Sequence, residues 1–251
     1  MPIQVIKLQN ITKRFPVYDE HLSDQVRGGF FYALNDVSLS IEEGECTIIA
    51  GANGSGKSLL MSIIAGLEEP TSGKVKTSGK VGLVFQEPDA QIIGETPRED
   101  TAFGPRNMGL SKEEIKAQVK NALEETGLEK RADFPSRSLS GGEKRRLAAA
   151  GVLAMNSKII IFDEPYANMD YPGVVQVNNL FNKLIKEGRT LIILTHELEK
   201  CFALCRRFIV LFKGEKVFDG AVSDDILQNI ETWGIHNPVK NNSLKIKELL
   251  W

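Results

Sequence analysis

The stretch Gly51-Ala52-Asn53-Gly54-Ser55-Gly56-Lys57-Ser58 constrains this chain more than any other. It fits G-x-x-x-x-G-K-[ST], a loop whose backbone N–H groups cradle phosphates. Residues 46–50 (C-T-I-I-A) read as a short buried strand running into it, and Leu59, Leu60, Ile63, Ile64 and Leu67 follow at helical spacing. Strand, glycine loop and helix predict a turn that aims a helix N-terminus at an anion. Glycine is needed because the backbone must approach the phosphates closely and adopt φ > 0. Lys57 is then expected to reach the β- and γ-phosphates, with the Ser58 hydroxyl on Mg²⁺.

Three further apolar runs, residues 82–85, 159–162 and 191–194, end in Gln86, Asp163-Glu164 and His196. The runs at 159–162 and 191–194 do not alternate, which predicts strands buried on both faces of a parallel sheet. In such a sheet all strand C-termini share one edge, where α/β proteins bind ligands. Chain order therefore predicts one site built from four distant segments. Asp163 is expected to hold Mg²⁺. Glu164 would polarise a water for in-line attack on the γ-phosphate. Gln86 would orient that water or bind Mg²⁺ through its amide oxygen, and His196 would contact the γ-phosphate.

Around this core the chain opens with a strand over 3–11, ended by Lys13 to Pro16, then an exposed loop over 16–32 and an edge strand over 37–41. Residues 87–145 read as a mostly helical insertion, with 87–105 as a loop carrying a helical turn or two. Two capping boxes start helices there, Ser111 with Glu114 and Ser140 with Glu143. Gly141 and Gly142 behind the Ser140 cap make a second helix N-terminus with accessible N–H groups, a second anion site or simply a well-capped helix. Helices are expected over 174–185 and 197–205, a hairpin over 208–218, and a helix over 224–233. Residues 1–222 would form the main domain and 223–251 a C-terminal helical extension.

With 251 residues, 42% hydrophobic and 25% charged, the chain can hold one large α/β domain with a small appendage. Its net charge of −2 offers no general attraction to nucleic acid. No apolar run approaches the length of a membrane span, and the start shows no signal-peptide pattern. Cys46, Cys201 and Cys205 are too few and too scattered for a disulfide framework and fit a reducing cytosol. Cys201 and Cys205 read as small buried residues on one helix face rather than metal ligands.

Leu139-Ser140-Gly141-Gly142-Glu143 resembles the signature motif of ATP-binding-cassette (ABC) ATPases, and residues 159–165 resemble their Walker B strand with its catalytic glutamate. Gln86 is similar to the Q-loop, Asp170 to the D-loop and His196 to the switch histidine. Phe15 matches the aromatic that stacks on adenine, with Tyr18 and Tyr32 as rivals. The D-loop departs from the family's small-residue pattern, with Tyr166, Asn168 and Met169 before Asp170. The segments 84–91, 98–105 and 149–155, and Trp233-Gly234-Ile235 with Pro238, resemble the ATPases of energy-coupling-factor (ECF) and cobalt-type importers. The resemblance covers roughly residues 3–222 and implies an ABC-type P-loop NTPase with a parallel-sheet core, an antiparallel β subdomain and a helical subdomain.

It also implies a second ABC ATPase subunit, as homo- or heterodimer, whose ATP is contacted by Ser140, Gly141 and Gly142 of this chain. Integral membrane partners are implied too, a transmembrane coupling protein and a substrate-binding protein, which would place the chain at the cytoplasmic face of the cell membrane. Asp89, Gln91, Glu99 and Asp100 are the expected contact with them. The tail, with Leu244, Ile246, Leu249, Leu250 and Trp251 among Lys240, Lys245 and Lys247, is expected to pack on a partner ATPase, with a lipid surface as the alternative. The reading is an ATP-hydrolysing subunit powering import of a vitamin or transition-metal ion. An ordinary ABC importer ATPase and a soluble ABC ATPase outside transport remain as alternatives.

Overall fold

The computed structural model describes residues 3–17, 24–240 and 248–251. Its first sheet is antiparallel, built from β1 (Gln4–Pro16), β2 (Val26–Arg27), β3 (Phe30–Glu42) and β5 (Ser72–Thr77) in the order β2-β3-β1-β5. The second sheet holds β4 (Cys46–Ala50), β6 (Val81–Val84), β7 (Ile159–Asp163), β8 (Thr190–Leu194), β9 (Arg207–Phe212) and β10 (Glu215–Ala221), in the order β10-β9-β4-β8-β7-β6. All its neighbours pair in parallel except the β9-β10 hairpin. The four site-bearing strands therefore run the same way, and their C-termini share one edge.

Among the described residues six α-helices complete the fold: α1 (Lys57–Ile64), α2 (Pro97–Asn107), α3 (Lys112–Glu125), α4 (Gly141–Ala154), α5 (Tyr171–Lys186) and α6 (Asp224–Leu227). The sheet splits the core by the alternation of its side chains. Ile49, Ile161, Ile192 and Ile209 face α1 and the antiparallel sheet, packing with Ile6, Leu34, Leu60 and Ile64. Ile48, Ile160, Ile193 and Phe208 face the opposite way, toward α4, α5 and the helical layer. Ile226, Leu227, Ile230, Ile235 and Leu249 join that second core, so the C-terminal extension is packed against the domain rather than detached.

Four local expectations need correction. The described residues of the 16–32 stretch are not simply a loop: β1 continues to Pro16, Val26–Arg27 form β2, and Arg14, Phe15 and Pro16 pair with Tyr32, Phe31 and Phe30. Residues 97–107 are a full helix, because Thr96 caps Glu99 N and Pro97 sits at the first turn, where its missing N–H costs nothing. Residues 197–205 are not an α-helix but two 3₁₀ turns, Leu198–Lys200 and Phe202–Leu204. The 224–233 helix is likewise split, α6 being followed by a 3₁₀ turn over Ile230–Trp233. All three cysteines are buried free thiols, with Cys46 Sγ 3.0 Å from Cys205 Sγ. Burial pushes the Cys201 and Cys205 thiols far above their ordinary range. Tyr18, Leu244, Lys245, Ile246 and Lys247 lie outside the described residues.

Candidate active site at the C-terminal edge of the parallel sheet

The phosphate loop follows β4 and opens α1, and its glycines are sterically required. A Cβ on Gly51 would stand 2.2 Å from the Leu211 carbonyl oxygen and 2.5 Å from Ser55 Oγ. One on Gly56, whose φ is +96°, would stand 2.7 Å from both the Ala33 carbonyl oxygen and Leu34 Cδ2. Gly54 has φ +78°. Two neighbours thus close on the loop: the start of β3 and the β9-β10 turn, whose Gly214 N–H donates to Ser55 O at 3.2 Å. From the sequence, Lys213-Gly214 reads as an ordinary hairpin turn. Its place at the loop follows only from β9 lying beside β4. Ala52 is half-buried, while Asn53, Gly54 and Ser58 are exposed.

The Lys57 side chain is buried, and its ammonium donates to the Gly51 and Ala52 carbonyls at 2.7 and 3.1 Å. Burial pulls its pKa down, and the charges of Glu164 and Asp163 oppose that. The carboxylates at the end of β7 therefore share a field with the ammonium of the loop. Burial pushes the Asp163 carboxyl up, the Ser58 hydroxyl bonded to it pulls it down, and the charge of Glu164 raises it again. Asp163 Oδ1, Glu164 Oε2 and Ser55 Oγ are buried without a hydrogen-bond partner among the described residues. A hydroxyl bonded to a carboxylate with an unpaired buried oxygen forms a donor set that fits a hard, oxygen-seeking divalent cation.

Glu164 has φ +45°, uncommon for a residue with a side chain. Its N–H donates to the Leu194 carbonyl at 2.9 Å, so neighbouring β8 holds the turn. Glu164 Oε1 lies 3.0 Å from His196 Nδ1, just past the end of β8. The glutamate is buried and the histidine side chain is 55% exposed. Two adjacent strand ends thus deliver a carboxylate and an imidazole to one another, with the imidazole open to whatever enters. Gln86, two residues past β6, is exposed on the same edge.

The remaining candidates stand apart from this cluster. Ser140 caps α4: its hydroxyl accepts from Glu143 N at 3.3 Å, and Glu143 Oε2 accepts from Ser140 N at 2.8 Å. Gly141 is exposed and Gly142 half-buried, and a Cβ on Gly141 would meet nothing within 4 Å. Among the described residues no hydrogen bond or ion pair joins Ser140, Gly141 or Gly142 to the phosphate loop. Asp170 caps α5, accepting from Gly173 N at 3.0 Å. The Arg145 guanidinium, which carries no signal in the sequence, donates to the Ala167 carbonyl and so ties α4 to the turn before Asp170. Phe15 is 43% exposed and pairs with Phe31 on β3, close to the Ala33 and Leu34 that abut Gly56. Its rival Tyr32 is engaged, its hydroxyl accepting from Arg14 Nη1 at 3.2 Å.

Comparisons with known proteins show the family. The family model described as ABC transporter matches residues 34–167. The energy-coupling factor transporter ATP-binding protein EcfA2 of Clostridium perfringens is 40% identical over 218 residues, covering 80% of this chain and 76% of that protein. The structure of cbiO1 from Clostridium perfringens, part of the ABC transporter complex cbiONQ, is 32% identical with a TM-score of 0.74, over 91% of this chain and 95% of that one. An ATP-binding cassette solved as a dimer in a post-hydrolysis state, bound to ADP and Pi, is 29% identical with a TM-score of 0.75, over 87% of this chain and 99% of that one. This chain belongs to the ABC transporter family, among the ATP-binding proteins of energy-coupling factor transporters.

Proposed function

We propose that this chain hydrolyses ATP to power an energy-coupling-factor importer of a vitamin or transition-metal ion, from the cytoplasmic face of the membrane. The observation that carries the reading is the pairing of Glu164 with His196, 3.0 Å apart, on the sheet edge that also bears Lys57 and Asp163. Glu164 is the general base that takes the proton of the attacking water, and His196 contacts the γ-phosphate and keeps the carboxylate oriented. Gln86 orients the water. Lys57 leaves its loop carbonyls for the β- and γ-phosphates, and the N–H groups of the loop cradle them. Phe15 stacks on adenine. Ser58, Asp163 and Gln86 would hold Mg²⁺, which supplies charge neutralisation at the phosphates.

A second ATPase subunit completes the site. Ser140, Gly141 and Gly142 lie open at the α4 N-terminus and present N–H groups and a hydroxyl to the nucleotide of that subunit, with Asp170 beside the shared interface. Supporting this is the dimeric form of the related ADP- and Pi-bound cassette. Among the described residues no helix is long and apolar enough to cross a membrane. Attachment to the membrane is assigned to the partner subunits. Of the four expected contact residues, Gln91 and Asp100 spend their side chains on nearby backbone. Gln91 bridges Phe85 N and Leu83 O, and Asp100 accepts from Ile93 N and Gly94 N. Glu99 remains exposed beside the exposed apolar side chains of Ile93, Phe103 and Met108, and Asp89, also exposed, is paired with Lys144 at 2.6 Å. That combination suits an amphipathic basic segment of a transmembrane coupling protein. Purification from gently solubilised membranes tests the reading. Co-purifying multi-spanning proteins and ATP turnover lost in Glu164→Gln are expected, and a chain that never associates with membrane subunits would overturn it.

A further inference from the structure

A buried polar cluster behind the site has no part in the roles assigned so far. Its centre is Asn178, in the middle of α5, where Asn is a poor helix former. It is 2% exposed, and all its hydrogen-bonding groups that the fold engages are aimed at different segments. Its Oδ1 accepts from the Tyr166 hydroxyl at 2.6 Å. Its Nδ2 donates to the Lys200 carbonyl at 2.8 Å and to the Trp251 carbonyl at 2.8 Å. Tyr166 is two residues beyond Glu164 and fully buried, and Lys200 is four residues beyond His196 and buried. The Lys200 ammonium in turn pairs with Glu197, next to His196, and lies 5.5 Å from the Trp251 ring centroid.

We propose that Asn178 is a positioning residue for hydrolysis, clamping the segment that carries Glu164 to the segment that carries His196, with the Trp251 end of the chain as the third arm. The inference rests on the roles given above to Glu164 and His196. The physical need is visible in the backbone. Glu164 and Asn168 both adopt positive φ, +45° and +57°, so this corner is held by its surroundings rather than by local preference. The 198–204 segment is broken into 3₁₀ turns, which leaves carbonyls such as that of Lys200 free for outside donors. Only a side chain that accepts one bond and donates two fits between a phenol and two carbonyls, which selects Asn over the similarly sized Leu or Asp. The same contact explains why this chain carries Tyr166 before its D-loop aspartate: the ring packs edge-on against Phe181 at 6.2 Å, and the hydroxyl reaches Asn178.

The test is steady-state ATP hydrolysis by the full chain, purified with the subunits that co-purify with it, for wild type, Tyr166→Phe, Asn178→Leu and Glu164→Gln. Tyr166→Phe conserves volume and removes one arm, so it decides the matter even if Asn178→Leu folds poorly. A misplaced base lowers kcat by about tenfold to a hundredfold while leaving KM for ATP within roughly twofold, because nucleotide binding uses the untouched phosphate loop. That split, with the melting temperature of Tyr166→Phe close to wild type, is the expected result. Wild-type kcat in Tyr166→Phe, alongside loss of turnover in Glu164→Gln, overturns the clamp and leaves the site reading standing. Wild-type kcat in Glu164→Gln overturns both.

Discussion

Two serines in this chain make the same local structure and are expected to differ only in use. Ser111 caps α3 and Ser140 caps α4, each accepting from the N–H three residues on at 3.3 Å and receiving a Glu oxygen on its own N–H at 2.8 Å. The matching geometry makes Ser111→Ala an internal control for Ser140→Ala. Loss of an N-cap hydroxyl costs about 1 kcal/mol. In a chain of this length that lowers the melting temperature by about 2–4 °C. Both variants should fall within that window, since the Arg131 partner of Glu143 sits on the surface at 3.3 Å and adds little. Their effects on turnover should separate. If the Ser140 hydroxyl donates to the charged nucleotide of a partner subunit, its loss removes about 2 kcal/mol, or about thirtyfold in kcat/KM. Ser111→Ala should then keep wild-type turnover. The assay is phosphate release by the dimer, read beside thermal unfolding of the same preparations. Equal turnover losses in the two variants, or full turnover in Ser140→Ala, would refute the assignment of Ser140 to a shared site.

Other expectations follow from single contacts. Lys57→Ala should abolish tight ATP binding in equilibrium titration while leaving the fold intact, since among the described residues the ammonium bonds to carbonyls of its own loop. Glu164→Gln should keep nucleotide binding and lose about 10²- to 10⁴-fold in kcat. Gly56→Ala should destabilise the loop and lose ATP, because its Cβ would meet the Ala33 carbonyl at 2.7 Å in a φ +96° conformation. Asp219 is held below its usual range despite burial by hydrogen bonds from Arg207 and Lys216. A depressed folded pKa contributes stability that is present above the unfolded carboxylate range and is lost as pH falls through the folded value. The melting-temperature gap between wild type and Asp219→Asn should therefore close on acidification below about pH 4.

How much of this was legible in the sequence depended on how local the cause was. The phosphate loop and the four strand ends are specified by neighbours in the chain: apolar runs too continuous for an exposed strand, then a polar or glycine-rich end. Parallel pairing turns those separate signals into one site, which is why Lys57, Asp163, Glu164 and His196 could be grouped before any geometry was known. The 97–107 helix was hidden by composition, since Pro97, Gly104 and Pro105 argue locally against helix. A Cβ on Gly104 would fall 2.5 Å from Met155 Cγ on the turn after α4, so glycine there serves a close approach between helices, not a turn. Residues 197–205 failed in the opposite sense. Their spacing is helical, but Asn178 takes the Lys200 carbonyl and Leu249 takes the Ala203 N–H at 3.2 Å, bonds made from 22 residues away and from the far end of the chain. Asn178 itself looks like any polar residue of an amphipathic helix. Its meaning appears only when α5, the corner after Glu164, the turns after His196 and the Trp251 segment lie together. The chemistry of this site is thus written in short motifs, while its rigidity is supplied by residues whose partners are remote in sequence. Substitutions of the second kind are the ones for which motif inspection would wrongly forecast no effect.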